Sequence, residues 1–188
     1  MNLALLIEIT GATIGLIYLY LEYKASFWLW TAGIIMSLFY VYIYYNGKFY
    51  ADMAIYAYYL GANVYGLILW KKGNQTNDKE ECGFSHVSKK LIPLLTTLFL
   101  LLWYVIYFIL IKFTDSDVAL GDSFTTALSI IAMWLMAKKH VDHWLLWFVV
   151  NAVSCGLYFW KGLYPTAILF VVYTVVAVFG YIRWLRMV

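Results

Sequence analysis

The feature that most constrains this chain is a series of seven apolar segments, each near the length of a bilayer crossing, separated by short polar punctuation. A helix needs about 20 mostly apolar residues to cross the hydrocarbon core. The segments run over 4–21, 27–45, 50–70, 91–112, 122–137, 143–160 and 165–185, and the fifth, short for a span, is expected to begin a few residues earlier. Backbone polar groups in lipid must be satisfied within the segment, so each is read as a helix. The fold class is therefore all-α integral membrane, with seven transmembrane helices. Charged residues are 12% of the 188 positions, and the spans leave no room for a separate soluble domain. A soluble domain of this length would carry about 25%. No Lys or Arg precedes the first span, which contains Glu8. That is a poor signal peptide, so the segment is kept as a mature helix.

The membrane part is also duplicated. The stretch from Trp30 to Trp70 recurs loosely from Trp144 to Trp184, and Tyr65-Gly66 corresponds to Phe179-Gly180, each glycine four residues before its closing tryptophan. The layout is a first three-helix unit (1–70), a polar cytoplasmic linker (71–90), a connecting helix with an outer loop (91–121) and a second three-helix unit (122–188). The odd connecting helix gives both units the same direction. This is a 3+1+3 pseudo-symmetric, parallel-repeat arrangement, related by an axis along the membrane normal, of the kind transporters use.

Basic residues orient the chain. Lys24, Lys71, Lys72, Lys79, Lys89, Lys90, Lys138, Lys139, Arg183 and Arg186 fall on one side, and Lys48, Lys112 and Lys161 on the other. The ten mark the cytoplasmic side, so the N-terminus is outside and the C-terminus cytoplasmic. The net charge of +3 is a topology signal and not a nucleic-acid patch. Cys82 and Cys155 lie in different environments and do not pair. No metal-ligand spacing surrounds them, and His86, His140 and His143 read as solvated interface residues, so neither a metal nor a cofactor is expected. Gly11 and Gly15 form a GxxxG pattern that admits a close helix neighbour, from this chain or from another protomer.

One helix face carries chemistry. Trp144, Trp147, Asn151, Ser154 and Tyr158 stand at i, i+3, i+7, i+10 and i+14, which at about 100° per residue share a side. The first unit repeats the spacing in Trp30, Ser37, Tyr40 and Tyr44. Two indoles, an amide and hydroxyls are costly to point at lipid, so the face turns inward. It either lines a pocket for a neutral or singly cationic heteroaromatic molecule or holds helices together. Asn63, with Tyr56 and Tyr59 before it on the third helix, is a second lining candidate or an interhelical hydrogen bond. Glu8, Asp52 and Asp122, near the outer ends of their spans, attract a cationic substrate or cap helices. No ionisable residue is placed at the middle of a span, and no P-loop is present. Both absences favour a gradient-driven uniporter over proton coupling or ATP hydrolysis. An embedded enzyme would need in-span carboxylates or a nucleophile beside His140 and His143. A substrate-binding subunit with an energising partner is a further alternative.

Asp122-Ser123, Leu128-Ser129-Ile130, Lys138-Lys139, Trp144-Leu-Leu-Trp147-x-x-x-Asn151, Gly162-Leu-Tyr164 and Gly180 before Trp184 resemble the PnuC/PnuT family of vitamin transporters. Phe49-Tyr50-Ala51 and Ala62-Asn63-Val-Tyr65-Gly66 fit the same family. The resemblance implies a seven-helix fold like that of the SWEET sugar transporters and a homotrimer in the bacterial inner membrane. It also implies facilitated diffusion of a small B-vitamin compound, trapped by phosphorylation through a separate cytoplasmic kinase. Trp144, Trp147 and Asn151 would contact substrate. Family transporters of nicotinamide riboside tend to have Asn where this chain has Met36 and Gln where it has Tyr56. On those departures the expected substrate is thiamine, with nicotinamide riboside as the alternative.

Overall fold

A computed structural model describes residues 3–47, 50–75, 83–114 and 116–188. Phe49 and linker residues 76–82, Cys82 among them, lie outside the described set, as do the surroundings of Gly11 and the side chains of Glu8, Tyr44 and Asp52. Seven long helices are present among the described residues: α1 (Leu3–Tyr23), α2 (Trp28–Gly47), α3 (Tyr50–Gln75), α4 (Ile92–Phe113), α5 (Ala119–Ala137), α6 (His143–Trp160) and α7 (Tyr164–Leu185). Four are long and apolar enough to cross a membrane: Ile92–Phe113, Ala119–Ala137, His143–Trp160 and Thr166–Leu185. The fifth helix begins at Ala119, ahead of the expected 122. Proline opens α4 and α7, where a missing N–H costs nothing.

The chain divides into two compact units, Met1–Gly83 and Phe84–Val188. In the first, α2 packs on α3 and more lightly on α1. In the second, α4 packs on α5, α5 on α6 and α6 on α7. In the second unit α5 buries eleven residues, from Ala119 to Ala137, whereas α4 buries none. A helix such as α4, apolar and open along its length, suits lipid on that surface. Phe99 and Trp103 of α4 meet Phe124 of α5 at 5.5 and 5.4 Å between ring centroids.

The duplication extends to individual hydrogen bonds, at a constant offset of 114 positions. In the α1–α2 turn, Ser26 N–H donates to the Leu21 carbonyl at 2.9 Å and Ala25 N–H to that of Glu22 at 2.9 Å. In the α5–α6 turn, His140 N–H donates to Leu135 at 2.9 Å and Lys139 N–H to Met136 at 3.0 Å. Both are Schellman closures, in which the residue past the helix adopts a left-handed conformation. Ala25 has φ +52° and Lys139 φ +58°, where glycine is usual. The α6 terminus closes the same way with a real glycine, Gly162, at φ +73°. Ala25→Gly is therefore expected to raise stability by up to about 1 kcal/mol, since the β-carbon in that conformation costs roughly 1–2 kcal/mol and added chain entropy offsets part of it. Thermal unfolding in detergent checks this, and a lower Tm would contradict the strain argument.

Candidate functional site

Each unit is built round one tryptophan pressed on one glycine. In the second unit Trp144 is 1% exposed, and its indole lies against Gly180 so closely that a β-carbon there would be 2.6 Å from Cε2 and Cζ2. Trp184 meets Trp144 edge-on at 5.9 Å. In the first unit Trp30 lies over Gly66 and meets Trp70 edge-on at 5.6 Å. The repeat thus preserves a Trp–Gly–Trp clamp, between α2 and α3 in the first unit and between α6 and α7 in the second. Much of what made Trp30 and Trp144 conspicuous in sequence is packing.

His143 corrects the expectation of a solvated residue. It is fully enclosed, 4.9 Å from Trp144 and 4.6 Å from Trp184, and its Nδ1 donates to the His140 carbonyl at 2.7 Å. Its position follows from the repeat, which places Leu29, also fully buried, at the same point of the first unit. His86 is exposed and His140 half-buried, and burial lowers the His140 pKa below the ordinary 6.5, partly offset by Ser85.

Further along α6 the stripe remains inward. Asn151 is 7% exposed, and Ser154 is also buried. The indole N–H groups of Trp144 and Trp147 are buried without a hydrogen-bond partner, and among the described residues no hydrogen bond is found for the Asn151 amide beside them. Buried polar groups are nearly always paired, so unfilled donors and acceptors clustered on one face point to an absent partner. The contrast with hydroxyls elsewhere is direct. Ser129 donates to the Thr125 carbonyl at 2.7 Å, Thr125 to that of Gly121 at 3.0 Å and Thr174 to that of Phe170 at 2.8 Å. Those hydroxyls are satisfied by their own helices. At the far end of the stripe the Tyr158 ring lies 5.1 Å from Phe170, which is 5.6 Å from Tyr173. Asp122 is near enough for its charge to reach the Tyr158 phenol, and it accepts from Ser116 Oγ at 3.2 Å.

The first unit departs from the second where the polar groups lie. Gly33 stands at the position of Trp147, Ser37 at that of Asn151 and Asn63 at that of Ala177. The amide of Asn63 fills the space over Gly33. Its Nδ2 donates to the Tyr59 carbonyl at 2.7 Å and, at 3.5 Å, to Ser37 Oγ. Asn63 therefore serves helix packing with its donors, and only Oδ1 is buried without a partner. Tyr40 and Tyr56 face each other at 4.7 Å, and Tyr56 meets Tyr59 edge-on at 5.7 Å. Met36 is half-buried beside this cluster in sequence. One residue escaped the sequence reading: Glu22, 4% exposed, in the last turn of α1 just past the expected end of the span at 21. No group of three or more His, Cys, Asp or Glu able to hold a metal is found among the described residues.

A helical repeat with satisfied hydroxyls and an unfilled polar aromatic face defines a multi-pass membrane protein that handles a small molecule. Residues 5–186 match the family described as nicotinamide mononucleotide transporter, and the chain belongs to that family of vitamin transporters. It is similar to the nicotinamide riboside transporter PnuC of Escherichia coli, 24% identical over 209 residues, covering 96% of this chain and 85% of that protein. It is similar also to the nicotinamide riboside transporter PnuC of Neisseria mucosa, at 26% over 167 residues, covering 83% and 63%. The crystal structure of the vitamin B3 transporter PnuC shares the fold, with a TM-score of 0.72 and 23% identity, over 94% of this chain and 79% of that one. The chain is a transporter, not an enzyme.

Proposed function

We propose that this protein is a uniporter of nicotinamide riboside in the cell membrane, with the α6 face of Trp144, Trp147, Asn151, Ser154 and Tyr158 as its main substrate contact. The observation that carries this is the pair of buried, unpartnered indole N–H groups of Trp144 and Trp147 on the helix face that also carries the buried Asn151 and Ser154. A carboxamide matches the polar edge of a substituted pyridinium, and indole and phenol rings match its flat cationic face. The relatives described above, each named for nicotinamide riboside, move the preferred substrate away from thiamine. From the first unit, Trp30, Ser37, Tyr40, Tyr56, Tyr59 and Asn63 are the proposed counterpart, with Met36 at its edge. Transport is facilitated diffusion through a 3+1+3 SWEET-like repeat, in which 1–70 and 122–188 are the repeated units, 71–90 the cytoplasmic linker and 91–121 the connecting helix and loop. The N-terminus is outside, the assembly a homotrimer, and a separate cytoplasmic kinase traps the product.

Thiamine remains the second reading, because Tyr56 lies in a tyrosine cluster where an amide would suit nicotinamide riboside better. Uptake of labelled nicotinamide riboside into proteoliposomes, with unlabelled thiamine as competitor, decides between them. Saturable uptake unaffected by thiamine supports the first reading; uptake of thiamine alone overturns it. Both substrates carry a fixed positive charge, so Asp122→Asn is expected to raise KM by roughly threefold to tenfold with little change in Vmax, as for an attracting surface charge. An unchanged KM would reduce Asp122 to its bond with Ser116.

A further inference from the structure

The segment Phe84–Val87 lies across the turn between α5 and α6. Ser85 N–H donates to the Lys139 carbonyl at 3.2 Å, and the Ser85 carbonyl accepts from Val141 N–H at 2.9 Å, which pairs Ser85 with His140. Ser85 Oγ and His140 Nδ1 are 3.0 Å apart. Val87 N–H donates to Asp142 Oδ2 at 2.6 Å, and His86 Nδ1 lies 3.1 Å from Asp142 Oδ1. The Phe84 ring meets Trp184 at 4.7 Å, and Trp184 in turn meets Trp144.

Asp142 holds the N-cap position of α6 but makes no capping bond. An aspartate there ordinarily accepts from the first-turn N–H groups. Those groups instead bond back along the main chain: His143 to His140, Trp144 to Val141 and Leu145 to Asp142, at 3.1–3.2 Å. The carboxylate is thus committed across the chain, to a segment that begins the second compact unit immediately after Gly83. The first unit has no such device, since the position of Asp142 is taken there by Trp28, which is exposed.

We propose that Asp142 is a positioning residue for transport, using Phe84–Val87 as a permanent strap that fixes the first turn of α6 and anchors the end of the inter-unit linker. This rests on the transport reading above. A linker can coordinate two units only if its end is held, and the holding point is two residues from Trp144. Permanence follows from the kind of contacts made. Release would expose Trp184, now fully buried, and would break a short charge-assisted bond together with two backbone bonds. The His86 contact matters least, because its side chain is 50% exposed and that of Asp142 26%, and exposed ion pairs contribute little.

The test uses the full-length protein in proteoliposomes with labelled nicotinamide riboside, and tryptophan quenching for Kd. Asp142→Ala is expected to lower Vmax about tenfold while Kd stays within about twofold, the signature of a lost conformational step. Asp142→Asn, which keeps an acceptor for Val87 N–H, should recover most of the rate, and His86→Ala should transport normally. Ser85→Cys with His140→Cys, in a Cys82→Ser and Cys155→Ser background, places two thiols on bridge partners, a spacing a disulfide accepts. Oxidation should leave uptake intact and rescue Asp142→Ala, and reduction should remove the rescue. A cross-link that blocks uptake beside an intact Asp142 overturns the proposal, because the strap would then have to open. So does an unchanged Vmax in Asp142→Ala. Cross-linking yield reads the strap separately: Asp142→Ala should lower it, and no change there sinks the strap whatever the transport result. If the unaltered protein takes up neither vitamin, the transport reading fails and the positioning role with it, while the yield still reports the anchoring.

Discussion

Asn151→Leu is expected to abolish uptake while helix content, membrane insertion and thermal stability stay at or above those of the unaltered protein. The amide offers two donors and an acceptor. Among the described residues none is used, although Asn151 is only 7% exposed. Leucine keeps the same branched outline of side-chain heavy atoms and has no polar atom. An interhelical bond in a membrane is worth about 0.6–2 kcal/mol, so a glue role predicts a loss of stability of that size. A site waiting for a ligand predicts the reverse, because replacing an amide that bonds nothing within the protein by an apolar group is neutral or favourable. Binding of a polar vitamin then loses its bond and leaves the vitamin's own polar group buried unpaired, about 1–3 kcal/mol or roughly 5-fold to 150-fold in affinity. Ser129→Ala is the control, since its hydroxyl already donates to the Thr125 carbonyl and no ligand bond depends on it. Uptake by proteoliposomes, with Tm measured on the same preparations, separates the cases. Surviving uptake, or lost uptake together with a collapsed Tm, would sink the pocket assignment.

The helices and the inward stripe were legible because both depend on periodicity along one segment. Hydropathy sets where a helix lies in lipid, and a spacing of three, four and seven sets which side chains share a face. What covers that face depends on a neighbour, and no spacing states it. Trp144 and Asn151 look equivalent in sequence, yet one is pressed on Gly180 and the other has no partner. The matched glycines Gly66 and Gly180 were the signal available, and their role as the floor under an indole appears only once α3 and α7 are packed. His143 was misjudged because a loop boundary placed it at an interface, while the turn bonds of the repeat carry it inside. The Asp142 contacts join positions about 55 residues apart, beyond any local pattern. Ala25 and Lys139 hid the Schellman turns by lacking the glycine that usually announces them.

Gly180→Ala is expected to destabilise the protein by about 1–3 kcal/mol, the usual cost of an extra methyl in a filled core, which corresponds to a Tm lower by roughly 2–10 °C. The added carbon would approach the benzene half of the Trp144 indole at 2.6–2.7 Å. That ring has little room to yield, with Trp184 edge-on to it and His143 4.9 Å away. Helix propensity favours alanine over glycine by about 1 kcal/mol, so the overpacking must exceed that gain before a loss is seen. Gly156→Ala measures the propensity gain alone, because nothing lies within 4 Å of a β-carbon there, and it should raise Tm slightly. Gly66→Ala should repeat the loss in the first unit, where the same carbon meets the Trp30 ring. The decisive comparison is a double-mutant cycle with Trp144→Phe. Phenylalanine lacks the fused ring system that meets Gly180, so the alanine should cost less beside it and the two effects should not add. Additive losses would mean that Gly180 is required for some reason other than the indole, and the tryptophan clamp would no longer account for the repeat.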